Sequence, residues 1–320
     1  MNFNIVNSDV NILLIEPYFT GSHKQWAEGF AKHSRHDVRL LTMKGQFWKW
    51  RMHGGAVTLA REFNALNWRP DLILTTDMLD VTTFMALTQS KSHGIPIAIY
   101  FHENQISYPW SPNDRDIQKN RDSHYGFINY ASTLAADTIF FNSDFHMESY
   151  LGELPKFLRH FPDHRELDSV DIIREKSRIL HLGMDLQKFD IHKTSHKKDP
   201  LILWNHRWEY DKNPESFFSV LNKVQEQGFK FDLAVLGENF SQYPDIFIDA
   251  HKTFETEIVQ WGYTESFPDY AKWLWMADIL PVTSKQEFFG GSVMEAMYCD
   301  TWPILPKRLT YPELLPPNQH

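Results

Sequence analysis

Short apolar runs alternate along the chain with segments in which apolar residues recur at helical spacing. The first run, Val10–Glu16, precedes a turn that contains Gly21 and a segment with Trp26 and Phe30 at a helical interval, for which Ser22 is the predicted N-cap. A nearly continuous apolar run is typical of a strand that is buried on both faces of a parallel sheet. A strand, a tight turn and a helix form the first unit of a doubly wound fold, so the pattern predicts an α/β protein.

The same alternation continues to the end of the chain. The predicted strands that follow are Val38–Leu41, Asp71–Thr75, Ile97–Phe101, Thr138–Phe141, Leu201–Trp204, Phe231–Leu236 and Ile279–Val282. The polar, basic segment Ile191–Pro200 interrupts the pattern and predicts a domain boundary. Because 320 residues suffice for two domains of ordinary size, we expect Rossmann-like domains over residues 1–190 and 191–320.

Composition narrows the classes of function. The single cysteine, Cys299, excludes an internal disulfide network, and the sixteen histidines form no H-x-H or H-E-x-x-H motif, so we predict no protein-bound metal. A net charge of −9 argues against non-specific coating of nucleic acid but is compatible with a tRNA bound on a local basic patch. The polar start of the chain and the lack of an apolar run of about eighteen residues predict a cytoplasmic protein without membrane contact, and we expect it to be a monomer.

The segment Ile279–Pro306 carries the clearest chemical signal. An apolar strand leads into a turn with Gly290 and Gly291, and a helix is predicted to begin at Ser292. Paired glycines let backbone N–H groups approach a ligand closely, and the start of a helix offers unpaired N–H groups and the positive end of a dipole. The segment therefore predicts a phosphate-binding turn.

Two carboxylates flank this turn with seven residues between them, Glu287 before it and Glu295 one helical turn into the helix. Both are placed to face a polyhydroxylated ligand around a bound anion. The alternatives are structural. Ser292 and Glu295 also form an S-x-x-E capping box, which stabilises a helix start without any ligand, and Glu287 alone is compatible with a solvated loop carboxylate.

Polar residues also follow the predicted strand Ile97–Phe101. The sequence there is H-E-N-Q, and the carboxyl end of a parallel strand is where α/β folds bind ligands. A single histidine in this place is more often structural, but four consecutive polar side chains favour a site. The residues concerned are His102, Glu103, Asn104 and Gln105.

A run of interleaved aromatic and basic residues, F-W-K-W-R, follows the second predicted strand and includes Trp48, Trp50 and Arg51. Such a run suits stacking on bases beside contacts to phosphates. The alternative is an amphipathic helix whose indole rings pack inward while the basic side chains extend outward.

The segment from Glu287 to Glu295 resembles the E-x7-E signature of the retaining GT-B glycosyltransferases. The H-E-N-Q and W-K-W-R stretches and the overall pattern resemble, more narrowly, the tRNA-queuosine mannosyltransferase family. The resemblance implies two facing Rossmann-like domains with a ligand cleft between them. It also implies that Glu287 contacts the donor sugar, Glu295 the nucleotide ribose, and His102 the sugar from the opposite domain.

The resemblance further implies that Arg207 and Lys212, after the strand Leu201–Trp204, hold the donor diphosphate, on which negative charge grows as the glycosidic bond breaks. A solvated basic loop is the alternative. The residues implied for catalysis are His102, Arg207, Lys212 and Glu287. Those implied for the donor, besides Arg207, Lys212, Glu287 and Glu295, are Gly21, Ser22, Asn205, Tyr263, Phe288, Gly290, Gly291 and Ser292. Those implied for the acceptor are His23, Trp48, Trp50, Arg51, Glu103, Asn104, Gln105 and Tyr108.

The activity implied by the resemblance is transfer of mannose from GDP-mannose to queuosine in the anticodon of tRNA-Asp, with retention at the anomeric carbon and without a metal. Two alternatives stay open: a related transferase with a lipid or small-molecule acceptor, and a non-catalytic module that binds a nucleotide or RNA. Nothing in the residues themselves favours GDP over UDP. In such enzymes a further helix normally follows the strand near Trp302, so we expect the second domain to be short at its end.

Overall fold

The structure is a computed structural model, and it describes residues 9–109, 123–195, 199–238 and 243–316. The chain divides into two compact α/β units, Met1–Met184 and Asp185–His320, which we call unit 1 and unit 2. The polar segment that predicts the boundary begins a few residues later, at Ile191. None of the described helices combines the length and the apolar character that are needed to cross a membrane.

Unit 1 is built on a parallel sheet with the strand order β2-β1-β3-β4-β5-β6. Its described strands are β1 (Asn11–Phe19), β2 (Asp37–Lys44), β3 (Leu72–Thr76), β4 (Ile97–Phe101), β5 (Thr138–Phe141) and β6 (Ser177–Ile179). Its described helices are α1 (Gly21–His33), α2 (Trp48–Ala65), α3 (Val81–Ser92), α4 (Ser123–Ala135), α5 (Asp144–Arg159) and α6 (Ser169–Lys176). The chain order reverses between β1 and β3, and this is the point at which doubly wound sheets bind ligands.

The sheet of unit 1 is covered on both faces, which explains its apolar strands. Along β1, Leu13 and Ile15 join the large core formed with α2, α3 and α5, whereas Ile12 and Leu14 pack with Trp26 of α1 on the other face. Successive strand residues point to opposite faces, so both sets are buried and no polar alternation remains. The predicted parallel sheet is therefore confirmed.

Unit 2 repeats the plan with the strand order β11-β10-β7-β8-β9. Its described strands are β7 (Leu201–Trp204), β8 (Asp232–Val235), β9 (Ile258–Trp261), β10 (Ile279–Pro281) and β11 (Trp302–Ile304). Its described α-helices are α7 (Pro214–Glu226), α8 (Ile246–Thr253), α9 (Phe267–Met276), α10 (Gly291–Tyr298) and α11 (Tyr311–Leu314). Leu201 and Leu203 face one core and Ile202 and Trp204 the other, so this sheet is also buried on both sides.

Two helix starts in unit 1 differ in how they are capped. Ser143 caps α5, because its hydroxyl accepts a hydrogen bond from the backbone N–H of His146 at 3.0 Å. The prediction that Ser22 caps α1 is wrong. The helix begins at Gly21 and its N-cap is Thr20, whose backbone is extended and whose carbonyl accepts the N–H of Lys24.

Candidate active site

Unit 2 holds a buried ion pair at the carboxyl ends of two neighbouring strands. Lys212 closes a short 3₁₀ turn after β7, and Glu287 lies in the loop after β10. The Lys212 Nζ atom is 3.2 Å from Glu287 Oε2, 3.2 Å from Asp211 Oδ2 and 3.2 Å from the Gln286 carbonyl oxygen. The structure therefore brings together two of the residues predicted for catalysis.

The two side chains of this pair hold each other in their charged forms. Burial by itself lowers the pKa of Lys212, but the carboxylates of Glu287 and Asp211 outweigh burial and raise that pKa. Burial by itself raises the pKa of Glu287, but the Lys212 ammonium outweighs it and lowers that pKa. The pair therefore presents a fixed cation and a fixed carboxylate at physiological pH.

The Gly-Gly turn forms the start of α10. Its N-cap is Gly290, at φ +90°, where an added Cβ atom would lie 3.1 Å from Leu314 Cδ1. The capping-box interpretation is wrong, because the Ser292 hydroxyl hydrogen-bonds to Nδ1 of His206 at 3.0 Å and no side chain caps the helix. A helix start without a side-chain cap keeps its N–H groups available to an anion.

Glu295 is also occupied by a partner other than the helix start. Its Oε2 atom accepts a hydrogen bond of 2.7 Å from the hydroxyl of Tyr270, on α9. Burial raises the pKa of Glu295. Beside it, Asn205 donates from Nδ2 to the Ser292 carbonyl at 2.7 Å, which ties the end of β7 to α10.

His206 is a site residue that the sequence prediction missed. It is buried between Ser292 and the Lys212–Glu287 pair, and burial, with the charge of Lys212 adding to it, lowers its pKa to about 4. Its Nε2 atom is buried and has no hydrogen-bond partner among the described residues. The only sequence signal was its position two residues after the end of a buried strand.

Other predicted donor residues lie at the edge of this group or away from it. The Arg207 side chain is about half exposed and pairs with Glu209 at 3.3 Å. Phe288 is buried, and its N–H donates to Glu287 Oε1 at 3.2 Å. Tyr263 is exposed and lines a surface cavity of about 360 Å³ with Lys272 and Trp273, which no other predicted donor residue lines.

Unit 1 gathers charged groups at the ends of β1, β3 and β4. His23 Nδ1 lies 3.0 Å from Glu16 Oε2, and the other oxygen of Glu16 accepts the N–H of Tyr18 at 2.7 Å. The backbone N–H of His102 donates to Asp77 Oδ1 at 2.8 Å, and the rings of His23 and His102 are 4.2 Å apart. The predicted residues His23 and His102 therefore meet at the switch point of the sheet.

Burial shifts the titration of this group in three ways. Burial lowers the pKa of His23, but the Glu16 carboxylate outweighs it, and the result is a pKa of about 9. Burial raises the pKa of Asp77 to about 8, with Glu103 adding to the rise and His23 opposing it. Burial and the neighbouring His23 hold the pKa of His102 well below its usual range, so its ring is neutral.

Some polar side chains of the H-E-N-Q loop form hydrogen bonds within the loop itself. Asn104 is buried, and its Oδ1 atom accepts the N–H groups of Ile106 and Ser107, so its side chain organises the turn. Gln105 donates from Nε2 to Glu103 Oε1 at 3.0 Å. Tyr108 ends this turn, with its N–H 3.3 Å from the Asn104 carbonyl.

The W-K-W-R run forms the first turn of α2. One of its tryptophans packs inward, as an amphipathic helix requires, and the other is exposed, as stacking on a base requires. Trp48 packs partly buried against Tyr125 at 5.2 Å between ring centroids, as the helix interpretation expects. Trp50 is 62% exposed, and Arg51 donates from Nε to the Lys44 carbonyl at 3.0 Å. Gly21 and Ser22, at the start of α1, are exposed as well.

One trio among the described residues has the compactness of a metal site. Glu16, His23 and His102 each offer a ligand atom, and these atoms lie within 4.8 Å of one another. Two of these three residues, Glu16 and His23, already form an ion pair with each other, which explains their proximity without a metal. No sequence motif joins positions so far apart, and the predicted absence of a metal stays a prediction.

Comparisons with known proteins agree with both units. Residues 11–184 match the family described as tRNA-queuosine alpha-mannosyltransferase N-terminal, and residues 187–320 match glycosyl transferases group 1. The chain is 32% identical to the tRNA-queuosine alpha-mannosyltransferase of Drosophila melanogaster, over 96% of this chain and 82% of that protein.

Solved structures with similar folds are distant in sequence. The catalytic domain of starch synthase IV from Arabidopsis thaliana, bound to ADP and acarbose, is 12% identical with a TM-score of 0.68, over 96% of this chain and 84% of that one. HepE from Anabaena, in complex with UDP, is 13% identical with a TM-score of 0.58, over 96% and 83%. These likenesses show the GT-B fold. The chain therefore belongs to the tRNA-queuosine alpha-mannosyltransferase family, among the group 1 glycosyltransferases.

Proposed function

We propose that this protein transfers mannose from GDP-mannose to the queuosine nucleoside in the anticodon of tRNA-Asp, with retention at the anomeric carbon. The observation that carries the proposal is the match of unit 1 to a family described by this one activity, together with 32% identity to a relative of that name. The arrangement in unit 2 supports the donor half of the reaction, since it supplies a cation, a helix start and two carboxylates.

On the donor side, Lys212 and the N–H groups at the start of α10 balance the charge that develops on the departing diphosphate. Arg207, half exposed at the edge of the group, adds a second cation. The bond between the anomeric carbon and the phosphate oxygen breaks while the acceptor oxygen bonds to the same face, and the acceptor proton passes to the leaving phosphate. This route requires neither a protein nucleophile nor a metal.

We assign the remaining donor contacts to carboxylates that neighbouring side chains hold in place. Glu287, fixed by Lys212, accepts hydrogen bonds from donor-sugar hydroxyls, and Glu295, held by Tyr270, accepts them from the ribose. The exposed aromatic and basic residues of α2 supply the surface for the anticodon loop, where single-stranded bases are open to stacking. We propose that the protein does this in the cytoplasm as a monomer.

Two measurements test the proposal. In a thermal-shift assay we expect GDP-mannose and GDP to raise Tm more than UDP-glucose and UDP, because only a ligand that binds the folded state stabilises it. In a transfer assay we expect labelled mannose on tRNA-Asp that carries queuosine and none on the same tRNA with guanosine at that position. Transfer to a lipid or small molecule but not to tRNA would assign the chain to another acceptor class. Binding of tRNA without any transfer would contradict the enzymatic proposal.

A further inference from the structure

The charged group in unit 1 contains more negative than positive side chains. Glu16, Asp77 and Glu103 stand at or just beyond the ends of β1, β3 and β4. Asp77 interacts electrostatically with both glutamates, and all three carboxylates interact with His23. His23 is the one cationic side chain that these groups face among the described residues, since the ring of His102 is neutral. The group is therefore short of positive charge.

Asp77 shows where that charge is missing. The residue is 2% exposed, and its Oδ1 atom accepts the His102 N–H. Its Oδ2 atom is buried and has no hydrogen-bond partner among the described residues. Buried carboxylates are normally paired or hydrogen-bonded through both oxygens, because an unpaired one is costly. An orphan oxygen here indicates room for a partner from outside the described residues.

The other two carboxylates, Glu16 and Glu103, differ in how many of their oxygens already have a hydrogen-bond partner. Each oxygen of Glu16 already has a partner, since Oε2 holds His23 and Oε1 accepts the Tyr18 N–H. Glu103 is only partly buried, and within the described residues its one hydrogen bond comes from the Gln105 amide to Oε1. The free capacity therefore lies on Asp77 Oδ2 and Glu103 Oε2.

Carboxylates are an unfavourable choice for a surface that receives RNA, because they repel phosphates. The placement becomes favourable when the recognised base itself carries a positive charge. Queuosine is a 7-deazaguanosine with an aminomethyl group at C7 that carries a cyclopentenediol, and this secondary amine is protonated at neutral pH. A protonated amine has N–H groups to donate, and charge-assisted hydrogen bonds to carboxylates are about twice as strong as neutral ones.

We propose that Asp77 and Glu103 bind the protonated amine of queuosine and so distinguish the modified base from guanosine. The inference rests on the proposed function, which it deepens by naming the group of the acceptor that is recognised and the residues that recognise it. A positive charge beside Asp77 also opposes the effect of burial, which raises the pKa of this carboxyl, and so favours its charged form when the acceptor binds.

The test uses isosteric amides. Asp77→Asn and Glu103→Gln keep an oxygen for the His102 N–H and for the Gln105 amide, and they remove only the negative charge. Because a hydrogen bond to a charged group is lost, we expect KM for queuosine-containing tRNA to rise roughly 10- to 100-fold in each variant, with KM for GDP-mannose unchanged. Glu62→Gln, an exposed carboxylate of α2, is the matched control for a general loss of charge and keeps the wild-type KM.

A competition experiment isolates the amine itself. Free queuosine is expected to inhibit transfer by the wild type more strongly than its N-acetyl derivative, in which the amine is neutral, and Glu103→Gln is expected to lose this preference. Equal inhibition by the two nucleosides, or an unchanged KM for tRNA in both variants, overturns the inference. Loss of the preference in EDTA and its return with Zn²⁺ also overturns it, because Glu16, His23 and His102 then hold a metal instead. Failure of the proposed function gives a different result, which is no mannose on queuosine-containing tRNA with the wild type.

Discussion

The ammonium group of Lys212 lies 3.2 Å from the carboxylate of Glu287, although 75 positions separate the two residues in the chain. Their loops follow β7 and β10, which are neighbours in the sheet of unit 2. Thr283 fixes the approach, because its hydroxyl lies 2.9 Å from the Lys212 carbonyl and 3.0 Å from that of Asn213. Neighbouring parallel strands thus bring a cation and a carboxylate to one edge of the sheet.

The Lys212–Glu287 pair is expected to contribute both to the free energy of unfolding and to turnover, and a double variant separates the two contributions. Lys212→Met leaves Glu287 and Asp211 buried without their cation, so we expect a loss of about 3–5 kcal/mol in the free energy of unfolding. Adding Glu287→Gln removes one of the stranded charges and recovers part of that loss. Turnover stays about 100- to 1000-fold below the wild type in both, because the charge on the leaving diphosphate is no longer balanced.

Chemical denaturation and single-turnover kinetics with GDP-mannose measure the two effects. Lys285→Met, an exposed lysine of the same loop, is the control and changes neither. Wild-type turnover in the Lys212→Met/Glu287→Gln variant would show that the pair is structural only.

Trp50, exposed on the first turn of α2, tests the proposed RNA-binding surface. Its ring lies against Gly54 one turn along α2, so close that a Cβ atom at position 54 would be 2.5 Å from the indole, and the ring is 62% exposed. We expect Trp50→Ala to weaken tRNA binding by about 1–3 kcal/mol through lost stacking while Tm stays unchanged. Filter binding at fixed salt measures the effect. Trp302→Ala, 70% exposed in unit 2, is the matched control, and an equal loss there argues against a specific platform.

The Glu16–His23 pair makes unit 1 less stable as pH rises. The pKa of His23 is about 9 in the folded chain and about 6.5 when unfolded, so the contribution of the pair is complete below pH 6.5 and is lost as pH rises through about 9. Asp77 acts in the same direction, because its pKa of about 8 means that the folded chain keeps a proton that the unfolded chain releases. We expect Tm to fall between pH 6.5 and 9.

Calorimetry across that range, on the wild type and two histidine variants, tests this dependence. His23→Gln is expected to make the fall shallower. His33→Gln, an exposed histidine of the same helix, is expected to leave it as in the wild type. A His23→Gln profile parallel to the wild-type profile would remove His23 as the cause.

Gly237 packs so closely against the backbone of His206 that a side chain at this position would collide with it. Its φ is +107°, and an added Cβ atom would lie 1.9 Å from the carbonyl oxygen of His206. We expect Gly237→Ala to lower the free energy of unfolding by about 2–5 kcal/mol through strain and overpacking and to displace His206 from Ser292. Gly228→Ala, at φ +79° with open space around it, is the control and costs about 1–2 kcal/mol. The urea midpoints of both variants measure these losses of stability. Equal losses in the two variants would show that the positive φ alone, and not the contact with His206, causes the destabilisation.

The order of elements in this protein could be predicted from the sequence because burial on both faces of a sheet leaves a local mark. Ile97–Phe101 and Thr138–Phe141 have the predicted bounds, since nearly every residue of such a strand is apolar whatever surrounds it. The spacing of Glu287 and Glu295 around the Gly-Gly turn also singled these two residues out, whereas Lys212 was singled out by the resemblance to the GT-B glycosyltransferases.

The partners of those residues could not be predicted, because they depend on which strands become neighbours. The S-x-x-E spacing is compatible with a capping box and also with the hydrogen bonds that form instead. In the structure Ser292 hydrogen-bonds to His206, and Glu295 accepts a hydrogen bond from Tyr270. Asp77 follows a strand like many other aspartates, and only the packing of β1, β3 and β4 leaves one of its oxygens without a partner among the described residues. Local sequence thus determined the strands and helices and the chemistry placed at their ends. The tertiary structure alone decided which charges meet, because the contact between two side chains depends on the sheet order and not on their separation in the chain.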